Sequence, residues 1–241
     1  MSFNSQTIDA MSDINKPDVV KPSYVCKGIV KPSENVQRLI KGLGLQNHPE
    51  GGYFKETDRS PLLMQNPYYP GHNDGRKGNY LQSGDSNEPV LTIKEADSLR
   101  ERKLSPLRNY STLIHYLITC DAPMGRFHVN RSRIIHILQR GRGQYVLIYP
   151  GGRLKTFVVG FNTDRGEVDQ WVVPGGVYKA SFLLPLDDEN GESADDHLLI
   201  SEIVVPGFDF EDHKFMPSKK ILENLVGTEK AGQLEWLLGK H

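Results

Sequence analysis

Cysteine is almost missing from this chain: Cys26 and Cys120 are the two in 241 residues. They stand in neither a metal nor a redox spacing, which excludes a zinc ribbon, a thioredoxin-type motif and a disulfide scaffold; two reduced, unbridged thiols are expected. Long apolar runs are missing too. The longest, such as "LLISEIVV", fall far short of the roughly 20 residues a membrane-spanning helix needs. Charge of one sign is also lacking, with 29 Lys and Arg against 30 Asp and Glu, so the overall balance attracts neither nucleic acid nor an anionic membrane. The opening "MSFNSQTIDAMSDINKPDVV" has no basic start, no apolar middle and little arginine. A cytoplasmic location is expected, with the nucleus also open.

What is present reads as one domain with extensions. Residues 1–32 are polar, hold Pro17, Pro22 and Pro32, and show no sustained periodicity. Disorder is expected over about the first 20, then an arm. The folded domain spans 33–241 and carries a polar insertion at about 62–108. Ser33 can cap a helix whose Val36, Leu39, Ile40 and Leu43 share a face, and Gly42 or Gly44 can end it. "HPEGGYFKETDRSP" is a Gly-Gly turn and a strand, with Tyr53, Lys55 and Thr57 on one face and Phe54, Glu56 and Asp58 on the other, so Glu56 can point inward. Within the insertion "TIKEADSLRERKL" has a helical pattern. After Tyr110 come eight strand-like runs divided by turn residues, from "STLIHYLIT" to "LLISEIVVP", which indicate an all-β sandwich or barrel. "IYPGGRLKTF" reads as a hairpin. Pro217 opens "PSKKILENLVG", and "TEKAGQLEWLLG" follows; these helices are expected to pack outside the barrel.

The chemistry concentrates in "GRFHVNRSRIIHILQRGRGQYVLIYP", residues 125–150. Arg126 and His128 are two apart on one strand and so on one face, and a guanidinium fork matches carboxylate or phosphate. On the next strand, alternation sets Arg133, Ile135 and Ile137 against Ile134, His136 and Leu138. Arg133 and His136 cannot both face inward without a bulge. If His136 faces in, then His128, His136 and Glu56 make an acid and base set near neutral pH. If Arg133 faces in, the pocket is an anion trap. Lys179 in "PGGVYK", with Tyr53 and Tyr178, completes the ligand-binding candidates. Against these stand blander roles. The histidines can be core residues, and Arg126 and Arg133 can be solvated or paired with Glu202 or Asp209. Trp171 and Tyr145 read as core or interface residues. In "PGFDFEDH", Phe208 and Phe210 can plug a barrel end while Asp209 or Glu211 bonds backbone amides.

"GLQNHPEGGYFKETDRSP", "YSTLIHYLIT", "WVVPGGVYKASF" and "VVPGFDFEDHKF" together resemble the small cupins of unassigned function of bacteria and fungi, grouped with the dTDP-sugar epimerase-like jelly rolls. The resemblance runs from about 34 to 240, omitting most of 62–108. It implies a double-stranded β-helix barrel with peripheral helices, and a homodimer. Metal-binding cupins use two His and a Glu from a first motif and a His from a second. Laid on that pattern, Arg126, His128, Arg133 and Lys179 occupy the four positions, so one ligand survives, and neither metal nor other cofactor is expected. Three functions follow as expectations: metal-independent binding of a small anionic metabolite such as a sugar phosphate, nucleotide sugar or carboxylate; a sugar epimerase or isomerase using a His and carboxylate pair; or a structural or storage role.

Overall fold

Ser33 does cap the first helix, α1 (Glu34–Leu43): its hydroxyl accepts from the Val36 amide, and Gly44 closes the helix in the left-handed region with its own amide returned to Ile40 and Lys41. The structure, a computed structural model, describes residues 18–21, 31–69 and 105–239. After α1 come β1 (Gln46–Asn47) and β2 (Tyr53–Arg59), an antiparallel pair. β3 (Leu63–Gln65) and β4 (Leu107–Asn109) pair with each other and form the base of the polar insertion. The helix expected in "TIKEADSLRERKL" lies outside the described residues, as do Cys26 and most of the N-terminal arm. Asp18–Lys21 are described and touch the barrel: Gln144 Nε2 donates to the Asp18 carbonyl at 3.2 Å, and Val19 packs beside the C-terminal helices.

The eight runs after Tyr110 are eight strands: β5 (Thr112–Thr119), β6 (Met124–Asn130), β7 (Arg133–Gly141), β8 (Gly143–Ile148), β9 (Leu154–Val159), β10 (Gln170–Val173), β11 (Tyr178–Leu183) and β12 (His197–Val205). A short β13 (His213–Phe215) follows. One sheet has the order β1-β2-β5-β12-β7-β10, the other β13-β6-β11-β8-β9. Two antiparallel sheets face to face make the cupin jelly roll, with helices at its periphery. β8 and β9 form the expected hairpin, in register from Gly143 opposite Val159 to Ile148 opposite Leu154.

Three apolar clusters hold this arrangement. Between the sheets, Tyr116, Ile118, Leu138 and Ile200 meet Tyr145, Leu147, Phe157 and Leu183, with Trp171 and Val173 from β10. On the outer face of the first sheet, α1 lays Leu39, Ile40 and Leu43 against Leu117 and Leu199. On the outer face of the second, α2 (Lys219–Val226), α3 (Thr228–Leu234) and the turn Glu235–Leu238 place Leu222, Ala231, Leu234 and Leu237 on Phe127, Val146, Ala180 and Phe182. β8 is therefore covered on both sides, and every residue of "GQYVLI" is buried.

Two sequence expectations meet a different geometry. Glu56 is exposed rather than inward: the register of β2 against β5 shifts between Glu56 and Asp58, and at this rim the carboxylate pairs with Arg59 at 2.7 Å. Phe210 is 75% exposed and plugs nothing, although Asp209 does accept from the Glu211 amide. Leu237→Ala is expected to cost about 2–5 kcal/mol in denaturant unfolding, whereas Glu56→Ala should stay within about 0.5 kcal/mol.

Candidate functional site

Alternation on β7 places Ile134, His136 and Leu138 inward and leaves Arg133 exposed. Inside the barrel, His136 stacks flat on Trp171, with ring centroids 4.9 Å apart at 10°. It sits directly opposite Glu202 of β12 in the first sheet. Across the gap, Lys179 of β11 donates to Glu202 Oε2 and to His136 Nε2, both at 2.9 Å. This pair ties one sheet to the other, and both side chains are more than nine-tenths buried.

A second polar group meets the first at the cavity. His48–Gly52 closes a turn in which the His48 amide donates to the Gly52 carbonyl and the Glu50 amide donates to His48 Nδ1. Gly51 and Gly52 have φ of 109° and 72°, and a Cβ at either would lie 2.1 Å from the Met124 carbonyl oxygen or 2.4 Å from that of Leu117. Glycine alone lets this loop press onto the barrel. The Arg126 amide and the Tyr116 hydroxyl then fasten it, donating to the carbonyls of Glu50 and Gly51. Glu50 is thereby brought against His128 and His213, with its Oε1 3.3 Å from His128 Nε2 and 2.8 Å from His213 Nε2. His213 is held from outside by Arg108, whose buried guanidinium bridges Asp212, Glu211 and Asp209 in the turn just before it.

Glu50, Tyr116, His128, Tyr145, Lys179, Ser181 and Glu202 line a narrow, tightly packed polar cavity at the barrel centre. Gly125 keeps part of it open, since a Cβ there would meet the Tyr116 hydroxyl at 2.6 Å and the Ser181 hydroxyl at 2.9 Å. Burial dominates the ionisation of the groups. It pushes His128 down to about 3 and lowers His136 well below the ordinary histidine value and His48 as well, all three being helped down by the Lys179 charge. Burial raises the Glu202 carboxyl, and the Lys179 ammonium only partly offsets this. Glu50 behaves in the opposite way. Burial would raise it, but the hydrogen bond with His213 and the Lys179 charge favour the ionised carboxylate, and it lies far below the usual carboxylate range.

Of the residues singled out in the sequence, His128, His136 and Lys179 come together here. Arg126 does not line the cavity. A bulge in β6 opposite Ala180 breaks the alternation between Gly125 and His128, and the guanidinium lies over the Phe215 ring, 4.4 Å from its centroid. Arg133, on the outward face of β7, does not line it either. Tyr53 points to the outer face under α1 and donates to Asp121 at 2.6 Å, its hydroxyl pushed up to about 12 by burial and that carboxylate. Tyr178 precedes Lys179 and so points the other way, into the cluster beneath the C-terminal helices. Glu50, His213, Tyr116, Ser181 and the cavity-facing position of Glu202 were not found from the sequence. "HPEGG" and "FEDH" carried a signal, but each is a loop whose aim is set by distant strands.

Two antiparallel sheets enclosing a polar barrel-centre cavity define a cupin. Residues 37–216 match the family described as cupin superfamily (DUF985), and the chain belongs to it. It is 49% identical over 215 residues to the uncharacterized protein YML079W of Saccharomyces cerevisiae, covering 89% of this chain and 92% of that one. Its fold is similar to a hypothetical protein from Leishmania major (TM-score 0.59, 24% identity, 83% of this chain and 96% of that one). It is also similar to protein SO0799 from Shewanella oneidensis (TM-score 0.56, 20% identity, 86% and 98%). Among the described residues no helix is long and apolar enough to cross a membrane.

A histidine whose folded value is lowered takes up its proton in the unfolded chain first. Each of His48, His128 and His136 therefore withdraws stability as pH falls below about 6.5, by at most about 1.4 kcal/mol per pH unit, continuing for His128 to about pH 3. The raised Glu202 has the opposite sign, and Glu50 adds to the loss only below the usual carboxylate range. Urea unfolding between pH 7 and 5 should show stability dropping steadily, with a shallower slope in His136→Gln. An unchanged slope in that variant would mean that His136 is not buried neutral.

Proposed function

We propose that this cupin is a proton-transfer enzyme, an isomerase, epimerase or lyase, acting on a small polar metabolite inside the barrel. The observation that carries the reading is the pair of buried carboxylates on one cavity whose surroundings push them apart. Glu50, hydrogen-bonded with His213 and close to the Lys179 charge, stays ionised; Glu202, more heavily desolvated than it is compensated, is displaced towards protonation. Such a split separates a fixed charge from a proton carrier. Glu202 would take and return the substrate proton, with Lys179 and His136 beside it to balance charge as the carboxyl cycles. The Tyr145 hydroxyl is held protonated by burial, so it acts as a donor to a substrate oxygen rather than as a base, while the Tyr116 proton stays engaged by the Gly51 carbonyl. The alternative set expected from sequence, with Glu56 as the carboxylate, is replaced by Glu202 because Glu56 stands on the outer rim.

Size narrows the substrate. The space between these side chains is tight, which suits a small hydroxy or keto compound better than a nucleotide sugar. Binding of an anion keeps one observation in its favour, the ammonium of Lys179. That charge is already engaged by Glu202, and Arg126 and Arg133 add nothing to the cavity, so a neutral substrate suits the interior better.

The test is hydrogen exchange from D2O into small keto and hydroxy compounds, followed by NMR. Glu202→Gln is expected to lower exchange by about 10²- to 10⁴-fold while ligand-induced thermal shifts persist, and Glu56→Gln should leave exchange unaltered. Full exchange by Glu202→Gln would remove Glu202 as the proton carrier. The same substitution leaves the buried Lys179 without a counter-charge and should cost about 3–5 kcal/mol of stability, so both variants are compared below their unfolding transitions.

A further inference from the structure

We propose that Glu50, His128 and His213 form a binding site for a divalent first-row transition-metal ion, with its open coordination positions turned to the cavity. The inference stands on the geometry of these three side chains and does not require Glu202 to act as a proton carrier.

Their ligating atoms all lie within 4.8 Å of one another. His128 Nδ1 lies 2.7 Å from the Arg126 carbonyl oxygen, which can only accept, so Nδ1 carries the proton and Nε2 of the neutral ring presents a bare lone pair. That Nε2 is buried and has no hydrogen-bond partner. It faces Glu50 Oε1 at 3.3 Å, and an imidazole lone pair against a carboxylate oxygen at that distance is repulsive unless a cation lies between them. His213 brings a second nitrogen to the same oxygen at 2.8 Å, its ring stacked beside that of His128 with centroids 5.1 Å apart. Donor atoms bonded to one ion at about 2.0–2.1 Å are themselves about 3 Å apart, so closing around a metal requires little movement.

The surroundings fit the same conclusion. The carbonyl of Arg126 fixes the His128 tautomer and ring direction, as outer partners of metal-bound histidines do. Among the described residues no lysine or arginine bridges Glu50, because Lys179 is occupied by Glu202. Two imidazoles and one carboxylate favour zinc, iron(II), manganese, cobalt or nickel over magnesium or calcium. The sequence argument against a metal placed Arg126, Arg133 and Lys179 in three of four ligand positions. Only Lys179 reaches the interior, and Glu50 and His213 enter from outside both motifs.

The full-length chain, stripped with chelator, would be titrated with Zn2+, Mn2+, Ni2+ and Co2+ and with Fe2+ under anaerobic conditions. Equilibrium dialysis would give stoichiometry, Co2+ absorption the coordination, and thermal unfolding an independent readout. One ion per chain is expected, with an upward thermal shift that chelator reverses. His128→Gln and His213→Gln should each weaken binding more than tenfold, while the double variant Lys179→Met with Glu202→Gln, which removes the buried ammonium together with its partner, retains it; this separates the site from the proposed proton carrier. His213 lies on an edge strand, so its variant keeps the test usable if His128→Gln does not fold. No stoichiometric ion, binding that survives both histidine substitutions, or a doubly protonated His128 ring at neutral pH by 15N NMR with no change on adding metal would overturn the proposal.

Discussion

An ion pair buried between two sheets is the constraint on which the rest of this molecule turns. Lys179 reaches from one sheet to Glu202 on the other, and His136 accepts from the same ammonium. Charges taken out of water this far are costly unless they are paired, and replacing such a pair by apolar residues is often no loss to stability. An ordinary β-sandwich would fill these positions with aliphatic side chains. Here the aliphatic and aromatic layer of Leu138, Leu147, Phe157 and Trp171 supplies the cohesion between the sheets, and that layer is what allows a polar centre to persist beside it.

Around the ion pair, burial acts on each titratable group according to its neighbours. His128 and His136 are driven neutral, Glu202 is pushed up, and Glu50, bonded to His213 and near the Lys179 charge, is held down. One cavity therefore offers bare imidazole nitrogen, a fixed negative charge, protonated tyrosines and a carboxyl displaced towards neutrality. The cost falls on the loops that deliver these groups. The His48–Gly52 turn needs two glycines to approach the barrel, and the turn before His213 needs the buried Arg108 to hold three acidic residues together. Function and loop architecture are coupled through these two devices.

Strand placement was legible from residue order because alternation and turn residues are local signals. Each run from "STLIHYLIT" to "LLISEIVVP" became a strand, and Ser33 capped the helix that its spacing announced. Side-chain direction was legible only where alternation held. It correctly opposed Arg133 to His136 but left open which faced inward, and it failed at Arg126, where a bulge in β6 removes the guanidinium from the face that His128 keeps. It failed again at Glu56, where a register shift lies beside the carboxylate at an open rim. Bulges depend on the partner strand, which no local pattern describes.

The chain's order of residues by itself determined the class of fold and the cupin family, and it put forward three of the groups at its centre, His128, His136 and Lys179, without deciding which side chains face inward. These follow from periodicity and from motif strings, which are properties of neighbouring residues. The tertiary structure alone decided that Glu50 and His213, 163 positions apart, meet at 2.8 Å, and that Glu202 rather than Glu56 faces the cavity. Contacts of that separation are created by sheet pairing and by loops folded back onto the barrel, so their physical cause is the assembled fold.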